Sequence, residues 1–406
     1  MSRSRDTTAL AGASLGAGVL AYVLFALTTR VLGAERAAPV SVLWTFWGLA
    51  GAAVTFPIQH WMTREVAAAS GFAGLRARVP VLAGFVGAAV LVAGAGALLL
   101  RDQLFGDHGV AFAGLVVLVT GGSALMGVLR GGLAARGRYG ALAASLIAEN
   151  GLRCVGVGVL MALDVREPVA YGAAIAAGHL AALCWPAALT LPRTGRSDLP
   201  TATGVLLGAA GGQLLAQLVL TGAPVVLAVL GGAPADVTAL FVAMAVYRAP
   251  YLVALGVVPQ LTGRLTMLVV ERRTSALLRF RALLALASVV AAAAAVPVGL
   301  WVGPPLVRLV FGDDVVLDPT VSALVAAGSV LAVANLVASV LAIAHARSRT
   351  TTVAWLAGLA LATPVLVSGL ARDERIAAWF LVVEAVALAV LLLSVRTAAE
   401  PADGEP

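Results

Sequence analysis

The chain has 406 residues, 61% of them hydrophobic and only 12% charged, with a mean hydropathy of +1.00. This composition excludes a soluble globular fold and predicts a polytopic helical membrane protein. A pI near 10.4 does not point to nucleic acid, because the arginines are scattered over short loops instead of forming one basic domain.

All 27 basic residues are arginine. With the Ala, Gly and Val richness, this reflects a GC-rich genome more than a function. The 44 glycines, spread through apolar segments, suit close helix packing in lipid. The two cysteines, Cys154 and Cys184, fall in separate predicted spans and offer neither a disulfide nor a metal motif.

About twenty apolar residues cross a bilayer. The first such run, from Ala9 to Leu27, follows Arg3 and Arg5. It is too long for a signal peptide core and lacks a clear cleavage site, so it reads as the first span. In chain order the spans are expected near 9–32, 39–60, 79–100, 109–129, 140–163, 168–191, 204–230, 235–261, 280–302, 320–345, 351–371 and 376–395. The arginines then set orientation. With both ends in the cytoplasm, that side gathers Arg64, Arg76, Arg78, Arg130, Arg136 and Arg138 in the first half. In the second half it gathers the run from Arg264 to Arg281, with Arg347 and Arg349. Fewer fall outside, and Arg153 and Arg248 lie within spans.

The two halves echo each other. "FPIQHWMTREVA" at the end of span 2 is answered by "VVPQLTGRLTM" at the end of span 8, and "LFGD" at Leu104 by "VFGD" at Val310. "AARGRY" (Ala134 to Tyr139) is answered by "HARSRT" (His345 to Thr350). Echoes in one order predict a six-plus-six duplication, with lobes at 1–195 and 196–406. Six is even, so the halves share orientation and form a parallel repeat about an axis along the membrane normal. Two such bundles predict alternating access, the hallmark of a transporter.

The stretch "LRGGLAARGRYGALAASLIAENGLR" (Leu129 to Arg153) resembles the span 4–5 region of the polysaccharide and lipid-linked oligosaccharide flippases. These belong to the multidrug/oligosaccharidyl-lipid/polysaccharide exporter superfamily. "VYRAPYLVALGVVPQLTGRL" (Val246 to Leu265) resembles their span 8, and "GPPLVRLVFGDD" (Gly303 to Asp314) the turn after their span 9. The resemblance implies an all-α integral membrane protein, V-shaped, with twelve transmembrane helices in two six-helix lobes. It implies a flippase in a bacterial plasma membrane, translocating a lipid-linked oligosaccharide or polysaccharide precursor, with no enzyme activity and no cofactor or metal. Its partners would be the anionic lipid-linked glycan, membrane lipids and glycan-synthesis enzymes. Members that flip the peptidoglycan precursor usually carry fourteen spans, and twelve departs from that pattern. The alternatives are a proton- or cation-coupled multidrug antiporter of the same superfamily and a membrane-embedded glycan enzyme. The antiporter would want an acid in span 1 or 7, where none occurs. The enzyme would want a larger exterior loop than 303–319.

Charges within a span cost about 2.5–3.5 kcal/mol each on insertion scales and so face protein or a wet cavity. Glu149 and Arg153, four residues apart, share one face of span 5 and neutralise each other. They form either a structural ion pair or a cavity-lining pair in which Arg153 meets substrate phosphate. Arg248 has no acid in its own span. It is either a cavity-lining guanidinium, whose fork suits a diphosphate, or the partner of Glu384 or Glu149. Glu384 is expected to partner an arginine in preference to carrying a proton. Gln213 and Gln217 share a face of span 7 and read as interhelical hydrogen bonding or cavity lining; His179 and Asn335 read as packing residues. Pro250, two residues after Arg248, is the most suggestive bend.

The arginine bias makes a direct topology prediction. In a chain with Cys154 and Cys184 replaced, single cysteines at Asp107 and Asp313 should react with an impermeant thiol reagent in intact cells. Cysteines at Ser70 and Ser275 should stay unlabelled; the reverse pattern would invert the topology.

Overall fold

The computed structural model describes residues 2–68, 75, 78–190, 214–344 and 348–396, and these are almost wholly helical. Among them, nine helical stretches are long and apolar enough to cross a membrane. One of these, Gly12–Thr63, runs to 52 residues and covers the first two expected spans, and Pro168–Cys184 forms a shorter apolar stretch. The chain is a multi-pass membrane protein. It divides into two compact units. The first comprises Met1–Gln217 with Ala228–Thr238; the second comprises Leu218–Leu227 with Ala239–Pro406. The expected lobe boundary at 195/196 falls outside the described residues.

The first unit opens with α1 (Ser2–Ala50), which is two helical arms joined at Gly33, whose φ of 74° admits glycine without strain. The second arm runs into a π-helical turn, Gly51–Thr55, before α2 (Phe56–Ala68). Pro57 explains the turn. It has no N–H to give to the preceding turn and its ring crowds the carbonyl four residues back, so the helix widens there. The Thr55 hydroxyl fastens the widened turn to the Ser123 carbonyl at 2.8 Å. α3 (Val79–Leu99) and the short α4 (Arg101–Phe105) lead to α5 (Gly109–Ala135). Gly127 and Gly131 of α5 let α2 approach closely: a Cβ on Gly127 would stand 3.0 Å from the Thr55 carbonyl oxygen, and one on Gly131 3.0 Å from Met62. α6 (Tyr139–Ala162) follows.

Span 6, expected as one helix over 168–191, is instead three pieces. α7 (Pro168–Ala177) passes into a 3₁₀ segment, Gly178–Cys184, and then into the short α8 (Pro186–Leu189). Pro186 lacks the N–H that would carry an α-helix through Trp185.

In the second unit, span 8 is also interrupted. α9 (Ala223–Val229) precedes α10 (Pro234–Tyr247), which begins in the first unit, and α11 (Ala249–Val270) starts afresh. Arg248 stands at the break as the N-cap of α11, and Pro250 occupies that helix's first turn, the place where a missing N–H costs least. α12 (Thr274–Trp301), α13 (Gly303–Phe311) and α14 (Pro319–Ala344) follow. After them come α15 (Ser348–Ala362), a 3₁₀ turn at Thr363–Val367 and α16 (Arg372–Arg396).

Small residues bring these helices together. A Cβ on Gly358 would lie 2.8 Å from the Val383 carbonyl oxygen, and one on Gly328 2.5 Å from the Phe380 ring. Gly299 of α12 faces the backbone of Ala323 in α14, so closely that a Cβ would be only 2.8 Å from its nitrogen. Beside it, the Tyr247 hydroxyl meets the Ser322 hydroxyl at 2.8 Å, and Ser322 donates to the Gly299 carbonyl at 2.7 Å. Backbone cannot retreat as a flexible side chain can. Gly299→Val should therefore cost about 1–3 kcal/mol of stability. Thermal unfolding of the purified protein in detergent should show a lowered midpoint, while Gly96→Val, in open space, should leave it unchanged.

Candidate functional site

The described residues place the intramembrane polar groups in two clusters, one in each unit. The first is built on Glu149. In α6, Glu149 and Arg153 share a face as the sequence predicts, and Arg153 Nη2 donates to Glu149 Oε1 at 2.6 Å. A third charge joins them. Arg130 of α5 donates from Nη2 to Glu149 Oε2 at 2.5 Å, with its Nε 3.3 Å from the Ser145 hydroxyl. The arginine count places Arg130 on the cytoplasmic side with Arg136 and Arg138; it lies inside α5 instead. Helical side chains tilt toward their own N-terminus. Arg130 therefore leans away from the α5–α6 turn and Glu149 leans toward it, so the two converge from antiparallel helices.

Arg153 is the largest fully enclosed side chain among the described residues, with 0% exposure. Its donors are spread over three acceptors. Besides Glu149, Nε donates to the Ile175 carbonyl at 2.9 Å and Nη1 to Asn150 Oδ1 at 3.2 Å. The guanidinium also lies 4.3 Å from the Trp47 ring centroid, a cation–π contact. Two glycines make room: a Cβ on Gly178 would come within 2.6 Å of Arg153 Cγ, and one on Gly122 within 2.8 Å of His179 Cβ.

His179, expected as a packing residue, belongs to this cluster. Its Nδ1 donates to the Ala176 carbonyl at 2.9 Å, which turns Nε2 toward Glu149 Oε1 at 3.7 Å. One carboxylate thus answers two guanidiniums, and this cluster carries an excess positive charge. Arg130, with 11% of its side chain exposed, is the most exposed member of the cluster.

The second cluster centres on Glu384 of α16, which is 0% exposed. The sequence reading expected an arginine partner. Among the described residues its carboxyl is met instead by Asn335 of α14, whose Nδ2 donates to Glu384 Oε2 at 2.7 Å and to the Glu384 backbone carbonyl at 2.8 Å. Asn335 was expected to be a packing residue, and the register of two different helices, invisible in sequence, brings it to the acid. Arg248 is half-buried at the α10–α11 break and interacts electrostatically with Tyr251, as does Glu384. Gln217 is buried in the first unit, and Gln213 lies outside the described residues. No group of three or more His, Cys, Asp or Glu suited to a metal occurs among the described residues.

No protein-family model matches this chain, and no curated protein matches it. Solved structures do. An inward-facing multidrug resistance MATE family transporter of the MOP superfamily superposes with a TM-score of 0.71 at 13% identity, covering 95% of this chain and 96% of that one. The lipid II flippase MurJ, in an inward closed conformation, superposes with a TM-score of 0.68 at 13% identity, covering 96% and 87%. An outward-facing MATE transporter gives 0.61 at 14% identity, covering 97% and 95%. This chain shares its fold with these structures. Coverage of nearly the whole chain means that the fold as a whole, and not one bundle of it, is shared.

The first cluster predicts its own response to mutation. Glu149→Gln leaves two buried guanidiniums facing each other with no anion. Removing one partner of a buried ion pair costs roughly 3–5 kcal/mol. Membrane abundance of Glu149→Gln should fall sharply, and the double variant Glu149→Gln/Arg130→Gln should recover part of it. Equal abundance of Glu149→Gln and the native chain would show that the cluster is not buried as described.

Proposed function

We propose that this chain is a flippase that carries an anionic lipid-linked glycan across a bacterial plasma membrane by alternating access. The observation that carries the reading is the excess of guanidinium over carboxylate in the Glu149 cluster. A bilayer tolerates such charge only against protein, water or an anionic ligand. A lipid-linked sugar with a phosphate or diphosphate is an anion whose oxygens match the planar fork of arginine. In this reading Glu149 holds the arginines while the site is empty, so that the protein does not bind its ligand too tightly to release it. Arg130, at the edge of the cluster, is the arm free to exchange the carboxylate for phosphate. In the second unit, Arg248 stands at the turn between α10 and α11, two residues before Pro250. Arg153, enclosed on every side, is assigned to hold Glu149 and α7 in place and not to touch ligand.

The second reading is a multidrug antiporter; two of the structures that share this fold are multidrug resistance transporters. What favours it is Glu384, a buried acid that no arginine pairs with among the described residues. What weighs against it is the first unit, where Glu149 is already engaged by two cations and is poorly placed to receive a third.

The two readings separate in cells. A deletion strain should accumulate a lipid-linked sugar on the inner leaflet, and the native gene should clear it. Arg248→Ala should reach the membrane at normal abundance yet fail to clear it, while Arg248→Lys recovers only part of the activity, since a point charge lacks the bidentate fork. Full clearance by Arg248→Ala would remove that residue from the site. Ethidium efflux driven by a pH gradient, with no accumulated lipid-linked sugar in the deletion strain, would establish the antiporter instead.

A further inference from the structure

The second unit contains an acid whose hydrogen bonding is incomplete in a specific way. Asn335 Nδ2 donates to the Glu384 backbone carbonyl. A carbonyl oxygen can only accept, so this contact fixes the amide nitrogen on the Glu384 side and turns Oδ1 away. The same nitrogen serves Glu384 Oε2. Glu384 Oε1 then has no hydrogen-bond partner among the described residues, and neither does Asn335 Oδ1, though both atoms are fully buried. A carboxylate anion in this setting would be closed off from water with one hydrogen bond to its two oxygens, the state that a low-dielectric interior disfavours most.

We propose that Glu384, held by Asn335, is a proton-binding site: the carboxyl is carried neutral while enclosed and discharges when water reaches Oε1. The reaction is carboxylate plus hydronium giving carboxylic acid plus water, and its reverse, with no other co-reactant. A proton fits better than a metal cation. Hard cations take about six oxygen ligands, whereas the unclaimed oxygens here are Oε1 and Asn335 Oδ1.

The surroundings of the site are consistent with this. α14 contributes Asn335, which does not titrate. α11 contributes Tyr251, which lies within electrostatic reach of both Glu384 and Arg248. α15 carries no acidic residue, and its one arginine, Arg349, lies at its start. α12 carries Arg279 and Arg281 only near its own start, and the remaining charges of α16 lie at its ends. Tight helix contacts at Gly328 and Gly358 keep the carboxyl enclosed.

Infrared difference spectroscopy of the purified full-length chain in lipid nanodiscs, without substrate, tests the site alone. The native protein should show a carboxylic acid C=O band that titrates with pH, shifts in heavy water and is absent in Glu384→Gln. Asn335→Ala should retain the band but move it to higher frequency, because the hydrogen bond to Oε2 is gone. A spectrum of Glu384→Gln identical to the native one would overturn the proposal. So would discharge of the band by sodium at constant pH, which would make the site a metal cation site. Neither outcome bears on lipid-linked sugar accumulation, so the transport reading stands or falls separately.

Discussion

The first unit depends on one carboxylate. Glu149 is the only acid that meets Arg130, Arg153 and His179 among the described residues, and it draws together α5, α6 and the 3₁₀ segment after α7. In hydrocarbon there is no hydrophobic force to press helices together, because lipid tails are as apolar as leucine. Close contact at small residues and satisfied polar groups must supply the cohesion. Both are present here. Gly122, Gly127, Gly131 and Gly178 let backbones and polar side chains approach, and the guanidinium of Arg153 spends its donors on three separate acceptors.

The spans were largely legible from hydropathy. Val79–Leu99, Tyr139–Ala162, Thr274–Trp301 and Pro319–Ala344 agree closely with expectation. The interruptions were less so. Pro250 signalled a bend, but the break falls at Arg248. The 3₁₀ segment Gly178–Cys184 had only Gly178 and Pro186 to announce it, and both residues are common in membrane helices that run on unbroken.

The candidate site was half legible. Spacing alone gives the Glu149–Arg153 pair, because i and i+4 lie on one helix face. Arg130 was hidden by its neighbours: Arg136 and Arg138 already suffice as interfacial anchors, and a third arginine nearby reads as one more. The direction in which helical side chains tilt would have recovered it. Asn335 and Glu384 sit 49 residues apart on two helices, and nothing local fixes their relative rotation. Aligning Arg136 and Arg138 with Arg347 and Arg349 adds a further point. That register puts Leu341, Ala360 and Pro364 where Arg130, Glu149 and Arg153 stand, and Ala124 and Ala173 where Asn335 and Glu384 stand. The halves echo each other in their frame but not in their intramembrane chemistry.

The placement of both Glu149 and Arg153 on one helix has a consequence for biogenesis. A span is threaded into the bilayer as it leaves the ribosome, before later spans exist to shelter its charges. α6 brings its own counter-ion with it and can enter as a nearly neutral segment. Arg130 is synthesised earlier, close enough to the end of α5 for its long side chain to reach the head groups and wait there. It need turn inward only once Glu149 has arrived. For the Glu149 cluster, the order of residues along the chain is thus also an order of assembly in which neither guanidinium is stranded in lipid.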